Sequence, residues 1–168
     1  RNADGVAELA VALLLAVNRH LLPADADVRT GKVFKDGTIP YQRFRAWQLA
    51  GRTAGIVGLG AVGRATRWRL EGLGMRVIAH DPFANQEIAD KLGVRLVDLD
   101  TLARESDYIS LHSPLLDSTR HIVNAEFLGK MKPTAYVINA ARGPLIDEDA
   151  LLEAVRSKQI AGAGLDVL

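Results

Sequence analysis

Cysteine is absent from the 168 residues. That excludes disulfides, thiolate nucleophiles and cysteine-ligated metal sites, and it fits a reducing, cytoplasmic setting. A charge excess is absent too. The formal net charge is +1, which gives no electrostatic reason to expect nucleic acid or an anionic membrane as a partner. Arg64, Arg67 and Arg69 do cluster, but three arginines on one helix read as a solvated face. No hydrophobic run reaches membrane-spanning length: Leu9–Val17 is about half of what a bilayer requires. A signal peptide is also excluded, because Asp4 and Glu8 stand where positive charge would be needed. The histidines, His20, His80, His112 and His121, lack the spacing of a metal-ligand set. Short repeats and low-complexity tracts are missing as well.

Glycine, by contrast, is present in a pattern. Gly58-Leu59-Gly60-Ala61-Val62-Gly63 spells G-x-G-x-x-G directly after the apolar run Thr53–Val57 and before a helix-like stretch reaching Leu73. Each glycine has its own physical reason. Gly58 permits the tight turn, Gly60 lets backbone touch a pyrophosphate, and Gly63 lets the helix lie close against the strand. The helix N-terminus then offers free N–H groups and partial positive charge to phosphates. About twenty residues further on, a second apolar run, Met75–His80, ends in Asp81, placed to accept hydrogen bonds from an adenosine ribose. The alternative for Asp81 is a plain Asp-Pro turn. Its register with the glycines favours the ribose, and the next residues, Pro82, Phe83 and Ala84, include no arginine for a 2′-phosphate. The motif points to NAD rather than NADP.

The rest of the chain alternates. Strand candidates are Thr53–Val57, Arg76–Ala79, Val94–Val97, Tyr108–Leu111, Ala135–Asn139 and Gly162–Val167, with helices starting near Val62, Asn85, Asp98, Asn124 and Asp147. Alternation of this kind predicts right-handed βαβ units in an α/β fold, a doubly wound parallel sheet of the Rossmann type. Residues 1–22 hold an N-terminal helix, Val6 to about Leu22; residues 23–51 form a connector anchored by Phe44 and Trp47; residues 52–168 form the core. Leu9, Val11, Leu13, Leu14, Leu15 and Val17 spread round most of that first helix, so it needs cover on more than one side. A second domain or subunit would supply it.

Ligands in an open α/β sheet sit outside the carboxyl ends of the strands. There, His112-Ser113-Pro114 follows the fourth strand, with Thr119 five residues on. His112 reads either as a structural hydrogen-bonding group or as a cofactor contact. After the fifth strand, Ala140 and Ala141 leave room for a flat ring, and Arg142 follows. A guanidinium there can grip a carboxylate by two parallel hydrogen bonds, or it can pair with Asp147 or Glu148. Asp166, after the last strand, can orient an amide or cap a turn.

These segments together resemble the NAD-binding domain of the D-isomer-specific 2-hydroxyacid dehydrogenase family, from Val6-Ala7-Glu8 through the glycine motif, Asp81-Pro82, Leu111–Leu115, Thr119 and Asn139–Gly143 to Gly164–Val167. The resemblance implies that Gly58, Gly60, Ala61, Val62, Gly63, Asp81, Pro82, His112, Ser113, Pro114, Thr119, Ala140, Ala141 and Asp166 line the NAD site. It also implies that Arg142 is catalytic, binding the substrate carboxylate and polarising its carbonyl. The family's histidine and glutamate acid/base pair matches nothing before Leu168, and its substrate domain is absent. With Arg1 in place of an initiator methionine, the expectation is one domain of a longer, homodimeric protein. The parent would transfer a hydride between NAD(H) and a small 2-hydroxy or 2-oxo acid, and the fragment itself would be inactive. Formate or phosphite as substrate, or an NAD-sensing, corepressor-like interaction module, are the other readings. A methyltransferase with a similar glycine loop would leave Ala140-Ala141-Arg142 unexplained.

Overall fold

The computed structural model describes residues 2–34 and 37–168. Arg1, Lys35 and Asp36, part of the expected N-terminal segment and connector, lie outside them. Six strands, β1 (Thr53–Val57), β2 (Arg76–His80), β3 (Arg95–Leu96), β4 (Tyr108–Leu111), β5 (Tyr136–Asn139) and β6 (Gly162–Leu165), pair in the order β3-β2-β1-β4-β5-β6. Every pairing is parallel. This is the doubly wound α/β sheet that the alternation predicts. Its order reverses between β1 and β4, which opens a crevice above their C-terminal ends.

Side chains alternate between the two faces of the sheet and feed two apolar layers. On one face Ala54, Ile56, Val77, Ala79, Tyr108 and Ile138 meet α1 (Ala3–Asn18) and α4 (Ala61–Gly72) through Ala10, Leu14 and Leu70. On the other, Val57, Ile78, Ile109, Leu111 and Val137 meet α6 (Leu99–Glu105), α7 (Ala125–Lys130) and α8 (Glu148–Arg156). The helix starts follow local chemistry. Asn85, Asp98, Asn124 and Asp147 each accept a backbone N–H three residues on, at 2.6–3.1 Å, as N-caps do; the first of these opens α5 (Gln86–Leu92).

Three expectations need correction. The helix expected from Val6 to about Leu22 is two helices: α1 stops at Asn18, and α2 (Leu21–Arg29) leaves at 64°. Pro23 is the cause, because in an unbroken helix its ring would strike the carbonyl of Arg19. His20 takes a left-handed conformation (φ 53°) at the break, and α2 with α3 (Pro40–Arg43) occupies part of the expected connector. Trp47 does not anchor that connector by its ring, which is 51% exposed under the Arg52 guanidinium. Its carbonyl does so instead, accepting from Asn18 Nδ2 at 2.9 Å, while Tyr108 Oη donates to Asn18 Oδ1 at 2.7 Å. Finally, the edge strands are shorter than their apolar runs: β3 has two residues and β6 ends at Leu165.

The three arginines of α4 are not a solvated face: Arg67 binds Glu71 through two hydrogen bonds, Arg69, its side chain 14% exposed, ties α4 to Asp4 and Glu8 of α1, and Arg64 Nε donates to Leu59 O. Among the described residues, no single helix is long and apolar enough to cross a membrane.

Candidate functional site

The crevice between β1 and β4 is closed at its base by His112 N–H donating to Val57 O at 2.8 Å, and Gly58 N–H, donating to His80 O at 2.8 Å, ties the same turn to the end of β2. Gly58 turns with φ +97°, and a Cβ on it would stand 2.9 Å from the His112 carbonyl. A side chain there would push apart the loops after β1 and β4. A Cβ on Gly63 would overlap the Gly58 carbonyl oxygen, so α4 can lie this close only with glycine at that position. Gly60 faces open space and precedes the first residue of α4. The exposed N-terminus of a twelve-residue helix and an open glycine beside it form a cradle suited to a pyrophosphate.

Two clefts run from this cradle. One, of about 270 Å³, includes Gly58, Gly60, Asp81, Pro82 and Thr119 in its lining, with apolar walls from Leu99, Leu116 and Ile122. The other, of about 310 Å³, is lined by Val6, Val62, Ala140, Ala141 and Arg142. His112, Ser113 and Pro114 line both and form the joint between them. The first suits an adenosine by its length of apolar wall and its carboxylate. The second suits a flat ring, because its floor is two alanines. Ala61 and Gly63 lie in α4 outside these linings. Asp166 stands exposed beyond β6, joined to the end of β5 by its N–H donating to Asn139 O at 2.9 Å.

Hydrogen bonds fix the walls. Asp81 accepts from Leu59 N at 2.7 Å and from Phe83 N at 2.9 Å, which leaves one lone pair on each oxygen for further donors. Thr119 Oγ1 donates to Pro114 O at 2.7 Å and accepts from Leu116 N at 2.8 Å, closing the loop after β4 on itself. The His112 ring shares a 2.9 Å bond between Nε2 and Ser110 Oγ, while Nδ1 is buried without a partner. Burial pushes the His112 pKa down to about 4, so the ring is neutral at pH 7. An orphaned, neutral ring nitrogen at the joint is a polar group ready for a ligand.

Arg142 is exposed and forms no ion pair among the described residues; its Nη1 donates to Ala141 O at 2.6 Å. The pairing with Asp147 or Glu148 that spacing allowed does not occur, for Asp147 is occupied as the cap of α8. Asn139, fully buried, sets this loop. Its Nδ2 donates to Arg142 O at 2.9 Å and its Oδ1 accepts from Ala141 N at 3.0 Å. Sequence reading passed over Asn139 as a strand residue. The signal was there, since asparagine is disfavoured inside strands and is costly to bury without a task. No group of acidic residues or histidines able to hold a metal ion occurs among the described residues.

The family model described as the D-isomer specific 2-hydroxyacid dehydrogenase, NAD binding domain, matches residues 11–168. A glyoxylate reductase of Thermococcus litoralis is 45% identical over 98% of the chain, which spans 50% of that protein. A D-3-phosphoglycerate dehydrogenase of Synechocystis is 42% identical over 99% of the chain, here 29% of the relative. Among solved structures, the apo form of Escherichia coli D-lactate dehydrogenase superimposes with a TM-score of 0.89 at 36% identity, covering 99% of this chain and 50% of that one. The chain thus spans half or less of these three relatives. From a glycine cradle at the sheet's reversal point and a family match over nearly its whole length, the chain belongs to the D-isomer specific 2-hydroxyacid dehydrogenase family, as its NAD-binding domain.

Proposed function

We propose that the chain is the cofactor half of a dehydrogenase that moves a hydride between NAD(H) and a small 2-hydroxy or 2-oxo acid, with NADH preferred to NADPH. The observation that carries this reading is the unpaired Arg142 at the mouth of the cleft floored by Ala140 and Ala141. An arginine in that position costs nothing in broken ion pairs when it turns to a substrate carboxylate. In this reading the Gly58–Gly60 turn and the N-terminus of α4 hold the pyrophosphate, and Asp81 accepts from the adenosine ribose. His112 Nδ1 bonds the cofactor or a water beside it. Bound nicotinamide supplies or accepts the hydride. Arg142 grips the carboxylate and stabilises charge developing on the neighbouring oxygen. The general acid/base of the family has no counterpart in this chain, so the chain alone binds cofactor without turnover.

Arg142→Lys in the full-length enzyme tests this. The ammonium keeps the charge and loses the two-pronged geometry. We expect kcat/KM to fall by about two orders of magnitude, roughly 2.7 kcal/mol, with NADH affinity nearly unchanged. Kinetics close to wild type would reduce Arg142 to a surface residue and remove the substrate assignment.

The N-terminal arm supports a second part of the proposal, a homodimer. Leu21, Leu22, Val28, Phe34 and Tyr41 of the arm are each at least half exposed, an apolar surface that a monomer rarely leaves in water. Light scattering of the full-length protein at micromolar concentration should give twice the mass of one full-length chain. A monomer would assign that surface to some other cover.

A further inference from the structure

Leu59, the residue between the first two glycines, has every group engaged. Its side chain is 1% exposed, in the layer beneath α1 and α4. The N–H donates to Asp81 Oδ2 at 2.7 Å, and the carbonyl accepts from Arg64 Nε at 2.7 Å. Asp81 reaches across from the end of β2, and Arg64 reaches back from the first turn of α4. Two elements that flank the turn therefore hold it by opposite ends of one peptide residue, each through a hydrogen bond to an ionised side chain, the stronger class of such bonds. Asp81 is fixed in turn by Phe83 N–H at 2.9 Å.

The glycines on either side need this restraint. Gly58 and Gly60 give the turn its shape and also give it freedom, since glycine has more backbone conformations to lose than any other residue. Phosphate binding by backbone N–H groups requires those groups to converge before the anion arrives. We propose that Asp81 is a positioning residue for the phosphate-binding turn, acting through Leu59 with Arg64 as its counterpart, in addition to receiving the ribose. The inference rests on the proposed cofactor reading for its use, though not for its geometry. Its consequence is that coenzyme preference and turn geometry share one side chain. Exchanging Asp81 to admit a 2′-phosphate also loosens the phosphate cradle.

Amide hydrogen exchange by NMR on the ligand-free chain reads the clamp directly. In Asp81→Ala, Leu59 N–H should exchange about tenfold faster or more, while Val137 N–H in β5 keeps its protection. Asp81→Asn has one acceptor oxygen for two N–H donors, so the amide of Leu59 or of Phe83 should exchange at least about threefold faster. That variant decides the matter if Asp81→Ala does not fold. Unchanged exchange at Leu59 in the alanine variant, or at both amides in the asparagine variant, overturns the proposal. A second readout uses reduced nicotinamide mononucleotide, which has a phosphate and no adenosine. Its binding to Asp81→Ala should weaken about threefold or more, whereas a role confined to the adenosine ribose leaves it unchanged and also overturns the proposal. If neither NADH nor reduced nicotinamide mononucleotide bound the wild-type chain, the cofactor reading would fail, and the exchange data would still decide the clamp.

Discussion

His112 has lost most of its hydration at the joint between two clefts, and its ring nitrogens record the consequence. The folded pKa is about 4, against 6.5 for a solvated imidazole. Between those values the unfolded chain takes up a proton that the folded chain refuses, so stability rises with pH there. The contribution is complete above pH 6.5 and is lost on descending toward 4, by up to ~3 kcal/mol. Urea unfolding of His112→Gln should accordingly show a flatter stability profile between pH 6.5 and 4 than wild type. Parallel profiles would mean that the ring titrates alike in both states. The same residue shows what sequence can and cannot supply. That a histidine follows the fourth strand was legible. That Ser110 holds one nitrogen and nothing holds the other is a fact of packing. Arg142 is similar, since spacing left its partner open and only the folded geometry, in which its guanidinium turns to Ala141 O and Asp147 caps α8, closes the question.

At the scale of elements, the parts that were legible are those governed by near neighbours. The five core helices start where Gly60, Asn85, Asp98, Asn124 and Asp147 place them. The interior strands coincide with apolar runs because both of their faces are covered. The break before α2 was local, set by Pro23 acting four residues back, and was hidden by the continuous apolar run; the ends of the edge strands β3 and β6 were missed because they depend on distant groups, stopping where partners run out. The N-terminal edge of the sheet holds a tertiary link of the same kind. Asp107 is buried, which raises its pKa, but the Thr53 N–H at 2.8 Å, the Lys132 ammonium at 3.0 Å and the Arg52 guanidinium outweigh this and hold it below the usual value. It ties β1 to β4 and to the turn leading into β5. Asp107→Ala should cost about 2 kcal/mol, since it orphans a buried N–H. Removing the exposed Glu87–Lys91 pair should cost less than about 0.5 kcal/mol. Equal losses in chemical denaturation would make Asp107 an ordinary surface acid.

For the whole molecule, the doubly wound topology does one thing that no element does alone. It brings residues 58–63, 81, 112–114 and 140–142, far apart in sequence, to the edge above the β1–β4 reversal. The glycine motif and the strand alternation made that convergence legible. The bond from Leu59 to Asp81 was not, because it is a polar contact between segments that carry no shared sequence signal; the loop-setting role of Asn139 is local, reaching only two and three residues on, and its signal was the asparagine inside a strand. The central claim is that this convergence forms an NAD site whose carboxylate at Asp81 rejects a 2′-phosphate. Side-by-side calorimetric titration of the chain with NADH and NADPH tests it most directly. Saturable binding of one NADH per chain, at least about tenfold tighter than NADPH and so favoured by about 1.4 kcal/mol or more, is the predicted result; equal or tighter binding of NADPH, or no saturable binding of either, would contradict it.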